Sequence, residues 1–265
     1  MIESLLLAVT RVSTLRGETS LTNATGFFFE QDGRLFLVTN RHVVIDEATE
    51  HRPDRLEIEL HVDPDNVAAA IQLTVPLYRD EQPLWRQGCD SAGTVDVAAL
   101  EIERSGLPGD VVLEAFTPAH LVEELDQIEV GTSVLIVGFP LGFHDTLHRL
   151  PVARQAVIAS AFGLRFQGNG YFLTDARMHR GTSGAPVVTR MTAGRSGRGA
   201  LTWRLLGVHA ARLEVGNRDV QQDERLNLNC AWYADILRTL TREATGGDDP
   251  KTESPPGSRS QPASK

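Results

Sequence analysis

Along most of the chain, apolar positions recur at every second residue. That period marks half-buried strands, because successive side chains of a strand point to opposite faces. Leu56, Ile58, Leu60 and Val62 alternate with charged or polar neighbours, and Val95 to Ile102 alternates again. Ser4 to Leu15 reads as a first strand, buried at Leu5 to Val9. Phe27 to Phe29 and Leu35 to Thr39 flank Gln31-Asp32-Gly33, and Asp-Gly is a hairpin signal. Asn23 to Gly26 reads as a turn, Val67 to Leu77 as a strand, and Tyr78 to Thr94 as a loop.

Beyond residue 105 the pattern loosens around Pro108 and Pro118, where the chain is expected to cross between two halves. A short helix is predicted over His120 to Leu125. Strands resume at Ser133 to Val137, Arg154 to Phe162, Tyr171 to Thr174, Ala185 to Thr189, Trp203 to His209 and Leu226 to Trp232. Gly194 to Gly199 reads as a hairpin turn and Val215 to Arg225 as a polar loop. Only at the end does the period change. Trp232, Ile236 and Leu240 recur every fourth residue, which predicts a helix over Asp235 to Arg242. About six strands before residue 105 and six after 130 give an all-β barrel or sandwich in two similar halves.

Composition changes this picture little. With 265 residues and 41% apolar side chains the chain can fill a core, and 26 basic against 35 acidic residues give a net charge of −9. That balance argues against a partner bound through phosphate neutralisation, so no nucleic acid is expected. No apolar run is long enough for a membrane span, and no basic leader precedes Glu3, so a cytoplasmic chain with no membrane partner is expected. Cys89 and Cys230, the two cysteines, are expected to be buried free thiols. The residues from Gly246 on are rich in Pro, Ser, Gly and charge, and 246–265 reads as a disordered tail.

The candidate chemistry lies in Arg180 to Val188, R-G-T-S-G-A-P-V-V. Ser183 sits between small residues and glycines, the setting an activated serine needs if backbone N–H groups are to face the oxyanion that forms at an attacked carbonyl. Such a serine requires a general base and a carboxylate to orient it. His42 follows a predicted strand in T-N-R-H-V-V. Asp96 begins one in V-D-V-A-A-L, where a lone carboxylate beside apolar residues is costly unless paired.

The ordered trio T-N-R-H-V, D-V-A-A-L and G-T-S-G-A-P resembles the chymotrypsin-like serine proteases, over about residues 5 to 242. G-F-P-L-G and Asp175-Ala176 look closest to bacterial trypsin-like peptidases, among them the high-temperature-requirement proteases. The resemblance implies two six-stranded antiparallel β-barrels, at residues 1–120 and 121–245, with a C-terminal helix. It implies a serine endopeptidase acting on protein or peptide substrates without a cofactor or metal. His42 would be general base and then acid, Asp96 its orienting carboxylate, and Ser183 the nucleophile. The N–H groups of Gly181 and Ser183 would form the oxyanion hole. Thr182 stands where digestive trypsins carry an aspartate, so a pre-formed site or control by a regulatory partner protein is expected. A catalytically silent fold acting as a protein-binding module, and an esterase, remain alternatives.

Gly207-Val208-His209 is similar to the pocket edge of glutamyl endopeptidases and picornaviral processing proteases. His209, with Arg177 near the pocket base, would then meet the substrate side chain and favour cleavage after Glu, Asp or Gln. His144, Asp145 and His148 read as a solvated loop rather than a metal site, and His51, His61 and His120 as surface residues.

Overall fold

The computed structural model describes residues 2–123, 128–191, 201–210 and 227–243. The N-terminal half holds a helical turn α1 (Ser4–Leu7) and strands β1 (Val9–Arg16), β2 (Thr19–Gln31) and β3 (Arg34–Thr39). A second turn, α2 (Arg41–Val44), precedes β4 (Arg55–His61), β5 (Ala70–Pro76), β6 (Tyr78–Arg79), β7 (Gln82–Pro83), β8 (Trp85–Asp90) and β9 (Gly93–Ile102). The C-terminal half holds β10 (Ser133–Gly138), β11 (Val152–Ile158), β12 (Tyr171–Asp175), β13 (Pro186–Arg190), β14 (Trp203–Ala210) and β15 (Leu228–Tyr233). A short helix, Ile236–Leu240, follows.

The C-terminal strands close into a six-stranded barrel in the order β10-β11-β12-β15-β14-β13. The N-terminal strands form a seven-stranded sheet, β5-β4-β1-β2-β3-β9-β8, where the sequence predicts a second six-stranded barrel. The extra strand comes from the region expected to be a loop. Residues 78–94 contribute the small β6–β7 hairpin and β8, which pairs with β9 from Trp85↔Leu100 onward.

Three further readings change. Leu5 to Leu7 coils into a turn before the first strand, consistent with leucine's helix preference ahead of the β-branched Val9. Asn23 to Gly26 is continuous strand, with Thr10 opposite Gly26. Glycine is needed there for space, since a Cβ would lie 2.8 Å from Leu37 Cδ1 and 3.2 Å from the Val38 carbonyl. Of the helix expected over His120 to Leu125, the described part shows a 3-10 turn, Pro118–His120, and residues 121–123 are not helical; residues 124–127 lie outside the described set. The Asp32-Gly33 hairpin forms as predicted, both residues having positive φ. The predicted turn at 194–199, the loop at 215–225 and the tail at 246–265 also lie outside the described residues.

Period two in the sequence becomes two buried faces. Phe27 and Phe29 point into a core shared by both halves, with Val95, Val97, Val137, Phe139, Leu205 and Val208. Phe28, between them, points the other way, onto Leu35, Leu37, Leu56 and Ile58. The crossing chain is fastened at both ends: Phe116 N donates to Phe28 O, and Leu121 bridges to Leu205 of β14. The junction between the halves is thus apolar and close-packed, which fixes the geometry of any site built across it.

Candidate active site

Strand β3 ends in buried Thr39, followed by buried Asn40, and its register against β9 sets Thr39 opposite Ala98. Asp96 therefore lies two residues past that pair, beside the first turn of α2. Its carboxylate receives two bonds from His42, the backbone N–H at Oδ1 (2.9 Å) and ring Nδ1 at Oδ2 (2.7 Å). A carboxylate accepts only, so Nδ1 carries the proton and Nε2 is left as a proton acceptor.

Asn40 begins α2 with extended backbone, yet its amide does not cap the helix. Fully buried, it donates from Nδ2 to the Asp96 carbonyl (2.7 Å) and accepts at Oδ1 from Gly184 N (2.7 Å). One side chain thus joins the acid's strand to the residue after Ser183.

The segment from Gly181 to Val188 is buried throughout, and Ser183 keeps 9% of its surface exposed. Glycine is required at two points. Gly184 has φ 84°, and a Cβ there would collide with the Thr25 carbonyl and the Thr39 hydroxyl. Gly181 has φ 92°, and a Cβ would collide with the Phe139 carbonyl. Leu141 N donates to the Arg180 carbonyl (2.6 Å). In a trans peptide C=O and N–H point opposite ways, so this bond turns the Gly181 N–H away from Leu141. Ala185 N holds the Thr182 carbonyl in the same manner (3.0 Å), which orients Ser183 N–H. Among the described residues neither of these N–H groups donates to a protein acceptor. Thr182, 1% exposed, donates from its hydroxyl to the His179 carbonyl (2.7 Å).

The structure thus brings His42 and Asp96 into direct contact and sets Ser183 across the junction from them. Among the described residues no hydrogen bond joins Ser183 Oγ to His42. His209 lies on β14, and its backbone accepts from Gly184 N (2.9 Å) and donates to Ala185 O (2.8 Å). Its ring has no exposed surface and, among the described residues, no hydrogen-bond partner at either nitrogen. Burial, with a lesser contribution from His42, pushes its pKa down to about 3, so the ring is neutral. Arg177, expected at a pocket base, is exposed beyond the end of β12 and makes no ion pair among the described residues.

Several side expectations are corrected. Cys89 is exposed on strand β8, while Cys230 is buried as expected. His61 is buried and donates from Nε2 to the His148 carbonyl (2.8 Å). His120 is part-buried, bonded to Thr117 and Leu201, and burial lowers its pKa. His148 pairs with Asp145 (2.7 Å) in the loop, and among the described residues no group of three or more His, Cys, Asp or Glu could hold a metal.

A family model for the trypsin-like peptidase domain matches residues 24–195, a span that contains His42, Asp96 and Ser183. The chain belongs to the trypsin-like peptidase domain family. It is similar to Serine protease HTRA2, mitochondrial, of Drosophila pseudoobscura pseudoobscura, at 28% identity over 167 residues, 63% of this chain and 31% of that protein. An HtrA-type protease solved with a tripeptide superposes with a TM-score of 0.53 at 17% identity, over 89% of this chain and 59% of the other. The serine endoprotease from Yersinia pestis superposes at 0.51 and 17%, over 89% and 62%. The chain spans less than two thirds of the length of these relatives. At such identities the structural likeness shows the trypsin-like fold.

Within this trypsin-like peptidase domain, two residues escape a motif reading. Asn40 is one: it stands inside T-N-R-H-V with no role assigned to it there, and its signal is a polar residue following Thr39 at the end of the apolar run Leu35 to Val38. Thr25 is the other. Its N–H donates to Ser183 O (2.9 Å), its hydroxyl donates to Gly181 O (2.7 Å) and accepts from Phe139 N (3.1 Å), and its carbonyl accepts from Thr39 Oγ1 (2.8 Å). The adjacent Gly26, read as a turn, concealed it.

Proposed function

We propose that the chain is a serine endopeptidase working through Ser183, His42 and Asp96. The observation that carries the reading is the two-point His42–Asp96 contact beside a serine whose flanking N–H groups are unspent. Ser183 Oγ attacks the scissile carbonyl as His42 Nε2 takes its proton. The oxyanion is held by Gly181 N–H and Ser183 N–H, each donor contributing a few kcal/mol at the transition state. Collapse of the tetrahedral intermediate breaks the C–N bond, and His42 returns the proton to the departing amine. Water then attacks the acyl-enzyme by the same route, regenerating Ser183.

The division at residue 120 follows the same reading, with the N-terminal sheet serving as the first barrel and Ser183 carried by the second. We further propose cleavage after Glu, Asp or Gln. Support comes from His209, whose backbone is tied to Gly184 and Ala185 beside Ser183 and whose neutral ring carries one donor and one acceptor that no described residue takes up; Arg177 is exposed on the segment between β12 and Ser183. Control by a partner protein is proposed on Thr182, which cannot make the ion pair of digestive trypsins and gives its hydroxyl to the His179 carbonyl. The second reading is a silent fold that binds proteins.

Fluorophosphonate labelling of wild type against Ser183→Ala separates the two. Labelling of wild type alone, slowed strongly in Asp96→Asn, is the expected result. Equal labelling of both means a silent fold. No labelling of the purified protein, with peptide and ester substrates uncut, means a silent fold or a site awaiting its partner, and labelling in lysate from its own cells, present only in the second case, tells the two apart.

A further inference from the structure

Beside His42 lies a set of polar bonds that the proton transfer does not use. Arg41 directly precedes His42, and adjacent residues of a helical turn point about 100° apart, so the two side chains leave α2 on different sides. His42 turns to Asp96. Arg41 turns to β8 and to the segment that follows α2. Its Nε donates to Gln87 Oε1 (2.9 Å), while Nη1 and Nη2 donate to the two carboxylate oxygens of Glu47 (3.1 and 2.6 Å). Only a guanidinium can serve both partners at once, because its donors are fixed in a planar fork.

Both partners are themselves held. Gln87 stands opposite Ala98 of β9, two residues from Asp96, and its Oε1 also accepts from Nε1 of buried Trp85 (3.1 Å). Glu47 belongs to a turn closed by two bonds between Asp46 and His51, each N–H donating to the other's carbonyl (2.9 Å). His51 Nε2 in turn donates to the Val43 carbonyl of α2 (3.1 Å). The hydrogen bond to Glu47 raises the Arg41 pKa, Asp96 acts in the same direction, and the Glu47 carboxyl is lowered in return. The pair therefore stays ionised, and the guanidinium lies within the field of the acid.

The turn needs such a brace. Four residues do not hold a helical turn by themselves, and no side chain caps its start. An exposed ion pair contributes little to stability as a rule, so the consequence of this one lies in what it joins. It links the turn that carries His42 to the edge strand beside the strand that carries Asp96. We propose that Arg41 is a positioning residue: its fork to Gln87 and Glu47 fixes α2 so that His42 Nδ1 meets Asp96 and Nε2 is left for Ser183. The inference rests on the endopeptidase reading and adds to it a residue that touches neither substrate nor reacting atoms.

The test uses the full chain with ¹⁵N-labelled histidines, as wild type, Arg41→Ala, Arg41→Lys and Glu47→Ala, the last being a milder change should Arg41→Ala fold poorly. Arg55→Ala, which breaks the exposed pair with Asp54 (3.1 Å), is the control. Two readouts are taken at a temperature where circular dichroism shows every protein folded. One is the NMR signal of the proton on His42 Nδ1, identified by its absence in Asp96→Ala. The other is fluorophosphonate labelling, resolved into the maximal rate and the reagent concentration giving half of it. A sharp proton signal is expected in wild type and the control, broadened by exchange with water in Arg41→Ala and Glu47→Ala. The maximal rate is expected to fall about tenfold in Arg41→Ala with the half-saturating concentration unchanged, the mark of misalignment rather than lost binding. Lysine keeps the charge without the fork and is expected to leave the rate below wild type. A sharp signal or an unchanged rate in Arg41→Ala, full recovery by lysine, or no such signal in wild type overturns the positioning role. Loss of the signal in Arg41→Ala with Ser183 unlabelled in every protein, in lysate from its own cells as well, overturns the endopeptidase reading and leaves the placement of His42 by Arg41 standing.

Discussion

A buried imidazole without a partner is costly when charged, and this sets the sign of one pH effect. His209 has a folded pKa of about 3 against an ordinary value near 6.5. Below pH 6.5 the unfolded chain binds a proton that the folded chain refuses. Stability is therefore full above that pH and falls as the pH drops toward about 3. Between pH 6.5 and 4.5 the loss attributable to this group is about 2 kcal/mol. Part-buried His120, also shifted down, adds to it with the same sign. Replacing the ring by an apolar side chain of similar size, His209→Leu, removes the penalty at little cost, since it leaves no partner unpaired. Melting temperatures measured from pH 7.5 to 4.5 are expected to fall less steeply for the variant. Parallel curves would mean that the ring finds a proton-accepting partner as the pH drops.

At the scale of elements, α2 matters less as a helix than as a corner. Four residues cannot be stable alone, and Asn40 spends its side chain on Asp96 and Gly184 rather than on capping. Asn40→Ala leaves the part-buried Asp96 carbonyl without this donor and removes one of the two acceptors of Gly184 N. A loss of about 1–3 kcal/mol in urea unfolding is expected, together with slower fluorophosphonate labelling. Asn23→Ala, which loses only an exposed contact with Ser13, is expected to change neither. These ties also explain what can be read from the sequence. His42, Asp96 and Ser183 each stand in a local pattern, a strand end or a glycine-flanked turn, and patterns of that kind survive in one dimension. Asn40 and Thr25 act through partners more than fifty and a hundred positions away, so no local periodicity reports them. Strand β8 was hidden for another reason: Gly88 and a register shift between Gln87 and Cys89 interrupt its alternation.

At the scale of the whole molecule, a site split between two halves depends on how they are fastened. Apolar packing of Phe27, Phe29, Val137 and Phe139 supplies cohesion but little direction. Direction comes from Thr25, whose hydroxyl and backbone meet Gly181, Ser183, Phe139 and Thr39. Thr25→Val preserves shape and removes only the hydroxyl, leaving the Gly181 carbonyl and the Phe139 N–H unpaired in a buried setting. Each such group costs about 1–3 kcal/mol. The Gly181–Thr182 peptide would lose its restraint, and with it the aim of the Ser183 N–H that follows. Labelling of Ser183 is therefore expected to slow by more in Thr25→Val than the fall in folded population explains. Thr25→Ser, which keeps the hydroxyl, is expected to restore it. The comparison is made at a temperature where circular dichroism shows all three proteins fully folded. Equal labelling rates under those conditions would mean that packing alone aligns the halves. A slow rate rescued by serine would mean that a single hydroxyl in the first half holds the geometry of the second.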